Sequence, residues 1–581
     1  MAQAQGAGYI TNPRDSMQRG NTPFQIVLLD GGSGCQTANV RSVHICTPAV
    51  LEIRVPKTAV TPKPFPSIVS LTPLANMIWN TARYVVGIGL SFFVSPFLIH
   101  TLGDAQYGVF ALIVEITGYY MLADLGIRGA VGYFVARYAV TGELEHLQET
   151  AHAALSILAA ASGVILLGSV GLAWLVPHWL KLEGVSVADV RQTILIMSAT
   201  FAVSIPSAVF PAILYGMRRH DLTCGAEIVF RFLSAALAVI TLRAGYGLVE
   251  FVTALAGATA VRRLIEGLLV WRLGLSFPLV PSRPRMEKIR DLLGYGVRNT
   301  TINVSQMIVE QLDLIVIASV LSTRWVTSFS IARSLIQYLG AFIATITVSL
   351  TPEFTRLFTM NKHEDMIRHY LRVTKLTSLL GAWLAAGLVV FGKPFLSLWV
   401  GAQYVQGDPL YRTDVVMVIL TVGVLLRSMQ STAWQMLIGT RRLRYLTLVN
   451  LGEAALNLAL SLVLARPLGL VGVALGTTIP QILAYGIALP VYMVRGYGLG
   501  WWSYLRQVAQ PAILSAAGVA VPGQLLLQGW PPQTWGQLIG EAVAVSLVCA
   551  LLVYGLALNT DERNYLHGKL VPRKAAPGEA S

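Results

Sequence analysis

The chain has 581 residues, 54% of them hydrophobic and only 12% charged, with a mean hydropathy of +0.61. Soluble domains carry about 25% charged residues, so a water-soluble protein is excluded. Lys and Arg outnumber Asp and Glu by 43 to 29, a net charge of +14; on so apolar a chain that excess fits loops facing an anionic membrane surface better than a nucleic-acid interface.

Residues 1–70 are rich in Pro, Gly, Thr and Asn, and their one apolar run, Phe24 to Leu29, is far too short to span a bilayer. They lack the basic start, long apolar core and cleavage site of a signal peptide. A disordered extension is expected, with a translation start near Met77 as the alternative that a mass measurement decides. Cys35, Cys46, Cys224 and Cys549 show no paired spacing, so neither a disulfide framework nor a zinc site is expected.

From Asn76 onward, apolar stretches of about 20 residues alternate with short polar breaks, the length that crosses a bilayer core as helix. About fourteen such spans are predicted, centred near Leu90, Ile116, Val164, Phe201, Leu237, Gly257, Ile308, Leu339, Leu384, Leu425, Leu458, Ala484, Val519 and Leu547. Cations gather in the even-numbered loops (Arg218 and Arg219; Arg283, Arg285, Lys288 and Arg290; Arg356 to Lys375; Arg441 to Arg444) and in the tail at Arg563 to Lys574. Loops rich in Lys and Arg stay cytoplasmic, so both termini are expected there, in the cell's inner membrane.

Asn80, Leu102 and Tyr119 recur 219 residues on as Asn299, Leu321 and Tyr338, and Gly216, Arg218 and Arg219 recur 223 on as Gly439, Arg441 and Arg442. Gly247-Leu248-Val249 recurs likewise as Gly469-Leu470-Val471. Anchors in one order at nearly the same offset indicate a duplicated six-span unit. The predicted fold class is therefore all-α integral membrane: two six-helix lobes related by pseudo-two-fold symmetry about the membrane normal, plus two extra C-terminal helices. The expected division is 76–272 for the first lobe, 273–294 for a cytoplasmic linker, 295–494 for the second lobe, 508–558 for the extra pair and 559–581 for a cytoplasmic tail. Met286 to Leu293, MEKIRDLL, reads as an amphipathic surface helix and a hinge. Pro177, Pro206, Pro211, Pro352, Pro394, Pro480 and Pro490 are expected to supply kinks.

LGDAQYGVFAL at Leu102 to Leu112, DLGIRGAVGYFVARY at Asp124 to Tyr138, QLDLIVIASVL at Gln311 to Leu321 and LTPEFTRLF at Leu350 to Phe358 resemble the polysaccharide-type flippases of the multidrug/oligosaccharidyl-lipid/polysaccharide (MOP) exporter superfamily, over roughly residues 75 to 495. The resemblance implies two lobes in a V, a central cavity lined by spans one, two, seven and eight, and export of polyprenyl-diphosphate-linked glycans during polysaccharide or lipopolysaccharide synthesis. The N-terminus and the two extra spans depart from the twelve-span pattern; the lipid II flippase branch has fourteen, which keeps that reading open. The implied partners are the glycan lipid, the bilayer, and a polysaccharide polymerase with glycosyltransferases.

Polar groups inside spans are costly enough to mark function. Asn299, Asn303, Gln306, Glu310 and Asp313 in the seventh span are spaced four, three, four, three, which puts them in a wedge of about 80° and a stripe about 21 Å long. Such a stripe faces a partner helix or a wet cavity, and two acids on it favour the cavity. Asn80, Tyr84, Gly87 and Ser91 run parallel on the first span with Arg83 beside them; Glu115 and Tyr119 lie one turn apart on the second, and Arg333 and Gln337 on the eighth. The expected substrate-binding set is thus Asn80, Arg83, Tyr84, Glu115, Tyr119, Asn299, Asn303, Gln306, Glu310, Asp313, Arg333 and Gln337, with Arg83 and Arg333 meeting the diphosphate bidentately and the amides and acids meeting sugar hydroxyls. Arg427 and Glu453 read as a structural pair, and Glu227, Arg231, Arg262, Arg263 and Glu266 as anchors snorkelling to the interface.

There is no phosphate-cradling G-x-x-x-x-G-K-[ST] loop, His363 and His369 lack ligand spacing, and no external loop is long enough to host an enzyme site. No cofactor, metal, nucleic acid or catalysis is expected. A diphosphate leaving an inside-negative cell runs downhill by about 2.3 kcal/mol per charge per 100 mV; Glu115, Glu310 and Asp313 are the candidates to carry a resetting proton or Na⁺. The rival readings are an antiporter of cationic drugs, for which midplane acids would bind the ligand, and a transport-inactive scaffold in a synthesis complex.

Overall fold

The computed structural model describes residues 73–141, 143–273 and 286–557, with the side chains of 295–310 excluded. The expected N-terminal extension, most of the interlobe linker and the tail therefore lie outside the described residues. Seventeen α-helices make up almost all of the described chain, joined by short turns and single turns of tighter or wider helix. Lipid offers no hydrogen-bond partners, so an apolar chain that crosses it must satisfy its backbone internally. Among the described residues, ten helical stretches are long and apolar enough to cross a membrane.

In chain order the helices are α1 (Pro73–Gly118), α2 (Ile127–Thr141), α3 (Leu144–Trp179), α4 (Val187–Ser207), α5 (Val209–Gly216), α6 (His220–Arg243) and α7 (Leu248–Arg272). Then come α8 (Met286–Val320), α9 (Thr323–Thr347), α10 (Thr351–Thr359), α11 (His363–Trp399), α12 (Thr413–Met429), α13 (Ser431–Gly439) and α14 (Leu443–Gln481), followed by α15 (Leu489–Gly496), α16 (Trp501–Gly529) and α17 (Trp535–Leu552).

Two helices break at glycine. Gly103 in α1 has φ 73°, ψ 168°, and Gly469 in α14 has φ 56°, ψ −135°, backbone conformations that a side chain disfavours. At Gly469 the chain doubles back, because a Cβ on Gly472 would lie 2.0 Å from the Leu464 carbonyl oxygen and one on Gly476 would lie 2.6 Å from the Ser461 nitrogen. Two helix backbones at that distance leave no room for a methyl group. Gly476→Ala is therefore expected to cost several kcal/mol through overpacking, and to lower the thermal midpoint and monodisperse yield of the purified chain sharply. Gly452→Ala on the same helix, where nothing lies within 4 Å, is the neutral control.

The prolines expected to supply kinks fall both at helix ends and inside helices. Pro206 directly precedes the break at Ala208 between α4 and α5, and Pro352 occupies the first turn of α10. Pro177, Pro394 and Pro480 stay inside their helices. Three short helices, α5, α10 and α13, end in the same hydrogen-bonded turn, with Arg219, Lys362 and Arg442 donating their backbone N–H to Leu214, Leu357 and Leu437. Its left-handed position is held by Arg218, Asn361 and Arg441, at φ 60°, 56° and 58°.

The expected surface helix at Met286 to Leu293 is instead the first two turns of the 35-residue α8. Leu292 is fully buried, and with Ile289 and Leu293 it packs into the core formed by α2, α3 and α5. The charged residues of MEKIRDLL masked how apolar its inner face is.

The largest core cluster joins Ile99 and Leu112 of α1 to residues of α8, α9, α11, α12 and α14. Close to it, chain segments from the two sides of the linker bind one another directly. Lys181 accepts from Thr323 N–H and donates its own N–H to Ala318, its ammonium donates to the Val320 carbonyl, Thr327 Oγ1 donates to the Asp104 carbonyl at 2.6 Å, and Tyr404 donates to the Asp104 carboxylate. Burial, and then the Asp104 carboxyl beside it, hold the Tyr404 phenol above its usual value, so it remains a donor. The extra helices α16 and α17 pack on α11, with Ser515 donating to Leu379 and Trp383 to Ser546. At the start of α17, the Trp535 ring reaches Phe395 and Phe92.

Candidate substrate cavity

Helix α8 contributes Asp313, the last member of the predicted stripe. Its carboxylate is 4% exposed and accepts from Thr477 Oγ1 at 2.9 Å and from Asn457 Nδ2 at 3.3 Å. The side chains of Asn299, Asn303, Gln306 and Glu310 lie outside the described residues. The partner face was legible in the sequence: Asn450, Glu453, Asn457 and Ser461 on α14 are spaced three, four, four and are all buried.

Asp313 sits in the wall of a cavity of about 520 Å³ whose lining runs from α8, α9, α12 and α13 to the second half of α14 and the turn at Tyr485. Arg333, Gln337, Arg427, Gln481 and Tyr485 supply much of its polar surface. Of the spans expected to line a central cavity, one and two contribute no residue to this lining, which lies wholly between Asp313 and Tyr485. Tyr485 donates to Glu453 at 3.0 Å, and its ring lies 5.9 Å from the Arg427 guanidinium. The tyrosine thus touches both members of the expected structural pair, Arg427 and Glu453, and Arg427 also lines the cavity.

Asn457 ties α8 to both arms of the α14 hairpin, because its Nδ2 also lies 3.0 Å from Thr477 Oγ1. Asn457→Leu is expected to destabilise the purified chain by about 1–3 kcal/mol, the cost of leaving a buried acceptor short of a donor. Asp313→Asn, which replaces the buried carboxyl with an amide of the same shape, is expected to cost less. Thermal unfolding of the two variants in one detergent orders them.

Arg333 forms an ion pair with Glu115 of α1, both side chains 14% exposed, so this contact crosses between the two sides of the linker. Tyr119 lies in the electrostatic field of Glu115, Arg333 and Asp313, and Gln311 of α8 lies against Gly118. Of the predicted set, the structure therefore brings Glu115, Tyr119, Asp313, Arg333 and Gln337 together.

Arg83 is elsewhere. It binds Glu227 of α6 at 2.9 Å and lies 4.9 Å from the Tyr84 ring, which is exposed. Asn80 joins that side too, accepting from Tyr215 at 3.3 Å and meeting His220 Nδ1 at 3.2 Å. Arg83 pairs with Glu227 and Arg333 with Glu115, so each of the two expected diphosphate ligands is held by a different carboxylate.

The expected anchors are also redrawn. Glu227 is shared by Arg83, Arg231 at 2.8 Å and Arg262 at 3.6 Å, and the fully buried Glu266 binds Arg262 at 3.0 Å and Arg263 at 2.7 Å. The pairs that i,i+3 and i,i+4 spacing suggested do form, and Glu227 also binds Arg83 of α1 and Arg262 of α7.

Among the described residues no group of three or more His, Cys, Asp or Glu could hold a metal ion, and Cys224 and Cys549 are buried free thiols.

Comparison with known proteins agrees with this architecture. The chain is 25% identical over 516 residues to the "Uncharacterized membrane protein EpsK" of Bacillus subtilis (strain 168), covering 86% of this chain and 98% of that one. It is 20% identical over 433 residues to the "Putative O-antigen transporter" of Shigella flexneri, covering 71% and 95%. Its fold is similar to that of lipid II flippase MurJ in an inward closed conformation, with a TM-score of 0.63 at 12% identity over 84% of this chain and all of that one. Residues 101–407 match the polysaccharide biosynthesis protein family, and with more than half of its length matched, the chain belongs to that family.

Proposed function

We propose that this membrane protein moves a polyprenyl-diphosphate-linked glycan from the cytoplasmic to the outer leaflet by alternating access. The observation that carries the reading is the lining of the cavity. Four glutamines (Gln337, Gln430, Gln435 and Gln481), with Trp434 and Tyr485, surround a space of about 520 Å³ inside an apolar bundle. Amides donate to and accept from sugar hydroxyls, and aromatic faces take the apolar faces of sugar rings. Arg333 and Arg427 also line it, and Asp313 is the one acid among the described lining residues. That acid is occupied by Asn457 and Thr477, which favours a neutral or anionic headgroup over a cationic drug.

The topology that fits is fourteen spans in two six-helix lobes plus a pair, with both termini cytoplasmic in the inner membrane. At 47 and 54 residues, Ile78–Asp124 and Leu443–Gly496 each exceed twice the roughly 20 residues that one crossing needs, and each contains one glycine break. The more charged α7 and α8 supply the remaining spans. The duplication finds support in the turns after α5 and α13, where Arg218 and Arg441 stand 223 residues apart in one left-handed conformation. The expected division into lobes at 76–272 and 295–494 follows the same repeat. A polymerase and glycosyltransferases are the partners that such a transporter serves.

The test is headgroup transfer in proteoliposomes with a labelled polyprenyl-diphosphate disaccharide. Transfer well above that of protein-free vesicles is expected, and a lipophilic cation should not be moved. Movement of the cation with the glycan lipid left in place would establish the antiporter instead.

A further inference from the structure

The cluster around Glu227 holds more positive charge than its carboxylates neutralise. Among the described residues, Arg83 of α1, Arg231 of α6, and Arg262 and Arg263 of α7 form ion pairs only with Glu227 and Glu266. Every oxygen of the two carboxylates is engaged: Glu227 Oε2 by Arg83 and Arg262, Oε1 by Arg231, and the two Glu266 oxygens by Arg262 and Arg263. The guanidinium groups are not saturated, since the Nε atoms of Arg83, Arg231 and Arg263 are buried without a hydrogen-bond partner. Two surplus positive charges and unmet N–H donors in a half-buried site fit a further anion with several oxygens.

The cluster also lies near the other half of the chain. Gly87, one turn after Arg83, gives Arg231 room: a Cβ there would lie 2.9 Å from the guanidinium carbon. Arg231 lies within electrostatic reach of Tyr338 on α9, and Tyr338 faces Ser91, one further turn along α1. Arg83, Gly87 and Ser91 thus mark a polar line of about 12 Å up one face of α1, ending beside the helix that carries Arg333 and Gln337.

The geometry points to Arg83, Arg231 and Arg262 as the loading site for the substrate's diphosphate, with Glu227 as the resident anion that the diphosphate displaces. This rests on the glycan-lipid reading and names the first contact within it. Arg333, neutralised by Glu115, then meets the headgroup later along its path. A diphosphate supplies the charge the cluster lacks and enough oxygens to engage several guanidinium groups at once, whereas sugar hydroxyls supply no charge.

The test uses the full chain in phosphatidylcholine nanodiscs, titrated with inorganic pyrophosphate in a calorimeter. Wild type should bind, and Arg231→Gln and Arg262→Gln should each weaken binding at least tenfold while keeping the wild-type elution profile. Glu227→Gln should tighten binding severalfold, because the competing carboxylate is gone; a purely structural carboxylate gives weaker or unchanged binding, which would overturn the proposal. Wild-type affinity in both arginine variants would overturn it equally. Adding phosphatidylglycerol to the nanodisc should leave the affinity unchanged, whereas tenfold competition would assign the site to bilayer phosphates. Headgroup transfer measured on the same variants separates the two claims. Normal transfer by an Arg231→Gln chain with undiminished pyrophosphate binding sinks the loading site and leaves the flippase. Arginine-dependent pyrophosphate binding by a wild type that moves no glycan lipid leaves the anion site and sinks the flippase.

Discussion

Arg333→Glu is expected to abolish headgroup transfer, by at least about a hundredfold, and Glu115→Arg on the same chain is expected to restore much of it. The two side chains form a largely buried pair across the two sides of the linker, each 14% exposed. Breaking such a pair by removing one partner costs about 3–5 kcal/mol, because the remaining charge stays buried without compensation. Reversal is worse, since it sets two carboxylates against each other with Asp313 close by. The swapped pair re-creates the attraction with its polarity inverted. Arg333 also lines the cavity, so recovery of folding without recovery of transfer would separate its substrate role from its structural one. Full transfer by the single Arg333→Glu variant would remove the residue from any account of transport.

Gly108→Ala is expected to hold open the end of the molecule where Gly103 lies. A Cβ at Gly108 would fall 2.1 Å from the Thr323 carbonyl oxygen and 3.1 Å from its carbon. Backbone cannot give way there as a flexible side-chain tip can, so the two helices must separate. The bonds from Lys181 to Ala318, Val320 and Thr323, and from Thr327 and Tyr404 to Asp104, gather around this approach. Deuterium exchange of the amides in 321–326 and 400–408 should therefore accelerate in Gly108→Ala, and transfer should fall at least tenfold. Gly89→Ala, with nothing within 4 Å of the added carbon, should behave as wild type. Unchanged exchange together with normal transfer would show that this end need not close.

Both expectations rest on contacts between residues more than a hundred positions apart, and residues of that kind separate what was legible in the sequence from what was not. The membrane class, the all-helical fold and the positions of most spans follow from hydropathy, because a bilayer forces any chain that crosses it into helices of fixed minimum length. The pairs Glu115 with Tyr119 and Arg333 with Gln337 follow from periodicity, because one helix face repeats every three or four residues; of the expected stripe on α8, only the side chain of Asp313 lies among the described residues. The family followed from segments such as QLDLIVIASVL.

Periodicity says which residues share a face; it does not say what that face meets. Tertiary structure alone decided that Arg83 meets Glu227 while Arg333 meets Glu115, and that Arg427 looks into a cavity through Tyr485. It also turned Glu227, Arg231 and Arg262 from expected anchors at a helix end into one shared ionic cluster. The physical reason is that a helix's own spacing fixes only local neighbours, whereas the rotation of one helix against another is set by close packing along the whole contact. In this chain that packing is governed by glycines such as Gly87, Gly108 and Gly476, whose missing side chains let a guanidinium or a second backbone approach.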